Sequence, residues 1–150
     1  MEDAVTEVVD ALNAGWLSAN TDHVAPVIGP IFDYKRPDTN YDDYVLCHEI
    51  SHIERPASIG YTQIDYTDVV SMDIRTSWNH RQTGKMSDVR GHLVKMRDET
   101  RRIIYSLKTT LGGYRLAKIA KVQDLSDKSI GLGRMIVDVE LHKVLDTVPA

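Results

Sequence analysis

The chain has 150 residues, 42% of them hydrophobic and 27% charged, with a formal net charge of −4. That length favours one domain spanning residues 1–150, able to bury its own core without metal or disulfide staples. The composition excludes a disordered, collagenous or low-complexity chain. The mild acidity argues against a protein that grips nucleic acid over its whole surface, which needs clustered Lys and Arg. The single cysteine, Cys47, excludes an intramolecular disulfide and reads as a reduced, half-buried core thiol. Met1 to Ala11 is acidic where a secretory leader is basic. No apolar run approaches the ~20 residues of a membrane span, so assembly in the cytoplasm and no membrane partner are expected.

Asp3 to Leu17 is predicted to be an amphipathic helix, because Val5, Val8, Val9, Leu12 and Trp16 recur at helical spacing. An acidic residue at its start suits the helix dipole. Val24 to Tyr34 carries Pro26, Gly29 and Pro30, which together break a helix and point to an extended, edge-like segment. Arg36 to Asp43 is a polar loop rich in turn formers. Tyr44 to Ile53 alternates in part and reads as a strand. Thr67 to Trp78 is the clearest strand, with Val70, Met72, Ile74 and Trp78 facing one way and Ser71, Asp73, Arg75 and Ser77 the other.

Asn79 to Lys85 is a polar loop, after which Ser87 is a candidate N-cap. A long helix follows, from about Asp88 to Lys108. Val89, Leu93, Met96, Ile103, Ile104 and Leu107 form its apolar stripe. Arg90, Lys95, Arg97, Asp98, Arg101 and Arg102 form its charged face, with Glu99 also on the charged side. Gly112 and Gly113 stop it. Tyr114 to Val122 is read as a strand with Leu116, Lys118, Ala120 and Val122 on one side. Asp124 to Gly133 is a connection. Arg134 to Val144 alternates Met135, Val137, Val139 and Leu141 against Arg134, Asp138, Glu140 and His142. The expected fold is therefore α+β. An antiparallel or mixed sheet of four or more strands carries the N-terminal helix and the long helix, and its core lies between about 44 and 146.

One motif looks catalytic. His48, Glu49 and His52 spell H-E-x-x-H, which on a helix places two zinc ligands on one face with a glutamate as general base. On a regular strand His48 and His52 would still share a face, but about 13 Å apart, too far for one ion. No third ligand is visible: Ile53, Glu54, Arg55 and Pro56 follow the motif, and Glu99 is the one glutamate in the long helix. The expectation is therefore a non-enzyme with no cofactor and no metal. The alternative is a small zinc-dependent hydrolase using His48 and His52 as ligands and Glu49 as base. A general oligomeric adaptor is a third reading.

From Tyr44 to Leu145 the ordered features resemble the tail-completion, or tail-terminator, proteins of tailed viruses of bacteria and archaea. A strand over Tyr44 to Ile53 is followed by Ala57-Ser58-Ile59-Gly60. The alternating strand Asp68 to Thr76 comes next, then a polar loop. The long helix carries Arg97, Arg101, Arg102, Ile103 and Ile104, and two strands finish the chain. The resemblance implies a sheet with helices packed on one side. It also implies a subunit that forms a ring, usually six-fold, at the head-proximal end of the tail tube. Such a ring ends tube growth and joins the tail to the neck, so the implied location is the virion tail or neck. The implied partners are further copies of the chain, the tail-tube protein and the neck or head-completion protein, with DNA only passing through the channel. Interface candidates under this reading are Arg97, Arg101 and Arg102 on the long helix, with Arg36, Asp38, Arg81, Lys85, Asp127 and Lys128 in the polar loops.

Overall fold

The computed structural model describes residues 3–21, 26–30, 43–56, 63–76, 86–110, 114–127 and 132–146, with backbone alone at 86–87, 107–110, 114–116 and 145–146. The element order is α1 (Ala4–Gly15), a 3-10 turn (Ser18–Asn20), β1 (Val27–Pro30), β2 (Asp43–Pro56), β3 (Gln63–Thr76), α2 (Met86–Thr110), β4 (Tyr114–Asp124) and β5 (Gly133–Asp146). The strands form one mixed sheet in the order β1-β2-β3-β5-β4. Only β1 and β2 are parallel. This is the α+β architecture that the alternating strands and two apolar helical stripes predict. Among the described residues, α1 packs over β1, β2 and β3, and α2 over β3, β4 and β5.

Asp3 caps α1 as its sequence position implies, its Oδ1 accepting from the Thr6 backbone N–H at 2.8 Å. Ala4, Val5, Val8 and Leu12 turn into the core, at the helical spacing of the apolar residues. β1 is the extended edge segment expected around Pro26 and Pro30. It sits at the sheet border, where a missing ladder donor is tolerated. β3 is the central strand. Val70, Met72 and Ile74 are fully buried on its helix-facing side. Across the ladder they meet Val139, Val137 and Met135 of β5, and Cys47 and Val45 of β2 pair with Met72 and Ile74. The predicted stripe of α2 closes over them through Val89, Leu93, Met96, Ile103 and Ile104, all buried. Trp78, the Leu107 side chain, the Ser87 cap and Gly112-Gly113 lie outside the described side chains.

Three expectations change. Cys47 is not half-buried but fully enclosed, and burial pushes its thiol up to about 12, which makes it an inert core residue. Glu99 is not on the wet side of α2: it is 2% exposed and held by polar partners described below. In β4, register shifts between Tyr114 and Leu116 and between Ile119 and Lys121 change the alternation. Ala117 and Ile119 pair with Leu141 and Val139 on the core side, and Val122 joins that side opposite Val137. Each bulge adds one residue and so moves every later side chain to the other face.

Gly133 lies at a close approach of α2 to the sheet. A Cβ there would lie 2.8 Å from the Val89 Cγ1 and 3.2 Å from the Thr76 Cγ2. At the other end of α2, a Cβ on Gly15 would come within 3.3 Å of the Ile103 Cγ1, so a glycine lets α1 end against α2.

Ile74 has no exposed surface and sits between Val45 and Met135 beneath α2. Ile74→Ala is expected to cost about 2–5 kcal/mol in urea unfolding, the range for a buried large-to-small change. A loss under about 0.5 kcal/mol would contradict this placement.

Candidate functional site

The H-E-x-x-H segment lies on β2, and a bulge decides its geometry. His48 pairs with Ser71 and Glu49 with Val70; then Ser51 pairs with Val69 and His52 with Asp68, leaving Ile50 as the extra residue. Partners in a ladder share a face. His48 is therefore on the side away from the helices with Ser71, and His52 is on the helix side with Asp68. The two histidines fall on opposite faces, contrary to the shared face expected of a regular strand, and they cannot hold one ion. His48 Nδ1 is buried with no hydrogen-bond partner among the described residues.

The same bulge brings Glu49 and His52 to one side, and β3 adds Asp68. His52 Nδ1 makes a short hydrogen bond to Asp68 Oδ1 and lies 3.7 Å from Glu49 Oε1. His52 Nε2 is 2.9 Å from Glu54 Oε1. The Tyr66 ring stands beside the imidazole, with centroids 5.7 Å apart. Hydrogen bonds to Asp68 and then Glu54 push His52 up to about 9, so at neutral pH it is an imidazolium donating from both nitrogens. Partial desolvation and a proton shared with Asp68 hold the Glu49 carboxyl above its usual range. Donor atoms of Glu49, His52 and Asp68 all lie within 4.8 Å of one another, close enough to hold a metal ion. Asp68 is buried while Glu49 and His52 are exposed. Sequence reasoning finds Glu49 and His52 but not Asp68. The only available signal is a β2–β3 register that includes the bulge.

Two polar ties hold the helices to this frame, the first fully buried and the second centred on the buried Glu99. Asp43, at the start of β2, accepts from Thr76 Oγ1 at 2.6 Å and pairs with His92 Nε2 of α2 at 2.8 Å; all three residues are buried. Glu99 accepts from Asn20 Nδ2 at 2.5 Å and from Arg102 Nε at 2.6 Å, and Arg102 also donates to the Gly15 carbonyl. This second tie locks the turn after α1 onto α2. A cleft of about 270 Å³ opens there, lined by Asn20, Lys95, Asp98, Glu99 and Arg102.

The interface candidates separate accordingly. Arg101 is half-exposed and Arg97 mostly covered, and Asp98 Oδ1 is 2.9 Å from Arg97 and 3.8 Å from Arg101. Arg102 is engaged with Glu99 and Gly15, so its first role is within the chain. Asp127 is exposed and forms a bridge with Leu132. Arg36, Asp38, Arg81, Lys85 and Lys128 lie outside the described residues. No family model matches the chain, and no curated protein matches it either.

On the face of the sheet away from the helices, Asp73 is buried and anchors two arginines. Arg75 Nη2 donates to it at 2.7 Å and Arg134 Nη2 at 3.0 Å. Burial alone would raise this carboxyl, but the two guanidinium groups hold it below its ordinary value. A depressed folded value means that the stabilisation is complete above the unfolded value of about 4. It fades as pH falls through the folded one. Asp73→Asn is expected to destabilise the protein by about 1–3 kcal/mol at pH 7, the loss of charge-assisted hydrogen bonds from arginines that stay partly solvated. The gap to the wild type should narrow steadily below about pH 4, since both proteins then lack the charge. Urea midpoints measured from pH 7 to pH 2 test this, and a gap that stays constant would contradict it.

Proposed function

We propose that this chain is a ring-forming tail-completion subunit of a tailed virus. It stands at the head-proximal end of the tail tube, ends tube growth and joins the tail to the neck. The observation that carries this reading is the one-sided architecture. Both helices pack on the same face of a mixed sheet, in the order of elements that the resemblance from Tyr44 to Leu145 implies. Such a subunit needs a rigid sheet to present polar surfaces to its neighbours. Head-to-tail contacts between copies close into a ring when the rotation per subunit fits, here with six copies.

The charged outer side of α2 supports the same reading. Arg97, Asp98 and Arg101 contribute nothing to the buried core, and surface pairs of this kind add little stability. They are available to bind a neighbouring copy, the tail-tube protein or the neck protein. A net charge of −4 suits a channel wall past which DNA slides without being held. The hydrolase alternative finds less support, because His48 and His52 occupy opposite faces. The protein acts in the virion tail or neck after assembly in the host cytoplasm.

Arg101 is half-exposed and its one described ion pair is a 3.8 Å contact with Asp98, so Arg101→Glu is expected to leave folding intact. Joining of tails to heads should fall by at least about tenfold, the effect of one like-charge contact costing roughly 1.4 kcal/mol or more at an interface. Counting joined particles by electron microscopy checks this, with circular dichroism as the folding control. A wild-type yield of joined particles would remove Arg101 from the interface.

A further inference from the structure

We infer that Glu49, His52 and Asp68 form a binding site for one divalent first-row transition-metal ion, with Glu54 as the residue that orients the imidazole. One imidazole nitrogen and two carboxylate oxygens form a mixed set of the kind that takes zinc and its neighbours, whereas calcium and magnesium prefer oxygen alone. Geometry follows. The three donor atoms lie within 4.8 Å of one another. Ligands about 2.0–2.2 Å from a zinc ion sit roughly 3.3–3.6 Å apart, so small side-chain rotations close the set. The Nδ1–Glu49 separation of 3.7 Å is already near that spacing.

A residue outside the donor set gives the third argument. His52 Nε2 is held by Glu54 Oε1 at 2.9 Å, so the ring is fixed with Nδ1 turned toward Glu49 and Asp68. An imidazole that gives its far N–H to a carboxylate while its other nitrogen faces the ligands is the usual outer-sphere arrangement of protein metal sites. Asp68 supplies the fourth argument. It is a buried carboxylate whose Oδ1 already accepts from His52 Nδ1, so a ligand oxygen is held in place beside the imidazole. The nearby Asp3 adds to the negative field at Glu49. On binding, the ion takes the place of the Nδ1 proton, which leaves to solvent. Exposure of Glu49 and His52 leaves room for water to complete the coordination shell.

This site does not depend on the ring reading, and its test uses the isolated chain. The protein is stripped with a chelator and titrated with Zn²⁺ by calorimetry, and with Co²⁺ by visible absorption. Binding of one ion per chain is expected, with a cobalt spectrum of nitrogen and oxygen ligation and loss of the free His52 ring signal in nitrogen NMR. Asp68→Asn and His52→Ala should each weaken Zn²⁺ by about 100-fold or more, and Glu54→Gln by about 10-fold, as for an outer-sphere partner. His48→Ala should leave affinity unchanged. Absence of binding to the wild type at millimolar Zn²⁺ would overturn the proposal, and that result needs no variant to fold. So would loss of binding in His48→Ala alongside retained affinity in Asp68→Asn.

Discussion

Val70, Met72 and Ile74 on β3 lie beneath both helices, and the rest of the molecule is arranged around that burial. A sheet of this kind is stable only when its apolar face is covered. α1 covers the β1–β2–β3 side and α2 the β3–β5–β4 side, so β3 is the strand where the two halves of the cover meet. α1, β1 and β2 come before β3 in the chain and α2, β4 and β5 after it, so this one strip of side chains joins the two halves of the sequence.

Apolar packing does not by itself fix how a helix is set on a sheet. The buried polar ties do that. Asp43 with Thr76 and His92 sets the early part of α2 over the β2–β3 end. Glu99 with Asn20 and Arg102 sets its middle against the turn after α1. Removing a partner of Asp43 or of Glu99 is costly, since a buried polar group left unpaired carries its desolvation cost. Specific placement of α2 in turn determines which of its charges reach the surface. Arg101 is left half-exposed with Asp98 beside it, while Arg102, equally exposed, is tied to Gly15 and Glu99.

Much of this frame was legible in the residues. The 3.6-residue recurrence in α1 and α2 and the clean alternation in β3 and β5 predict elements, faces and core members such as Val8, Leu93, Met72 and Val139. Period counting fails where a bulge intervenes. Ile50 in β2 and the two shifts in β4 each move the later side chains to the other face, and no single-strand pattern announces them. Regular alternation therefore puts His48 and His52 on one side and gives no sign of Asp68 beside Glu49. Glu99 was misplaced for a different reason. Its burial depends on Asn20 and Arg102, which come together only in the folded chain, so hydropathy assigns it to water.

A one-sided sheet, charges on α2 and a metal-capable cluster near the far end of β2 come together in this fold. The proposed position in an assembly is tested most directly by cryo-electron microscopy of the tailed-virus particle proposed to contain it, with this fold fitted to the density. The account predicts density for six copies of the sheet and its two helices, in a closed ring between neck and tail tube, with the outer side of α2 at a contact. Density for this fold in the capsid shell, or its absence from the particle altogether, would contradict it.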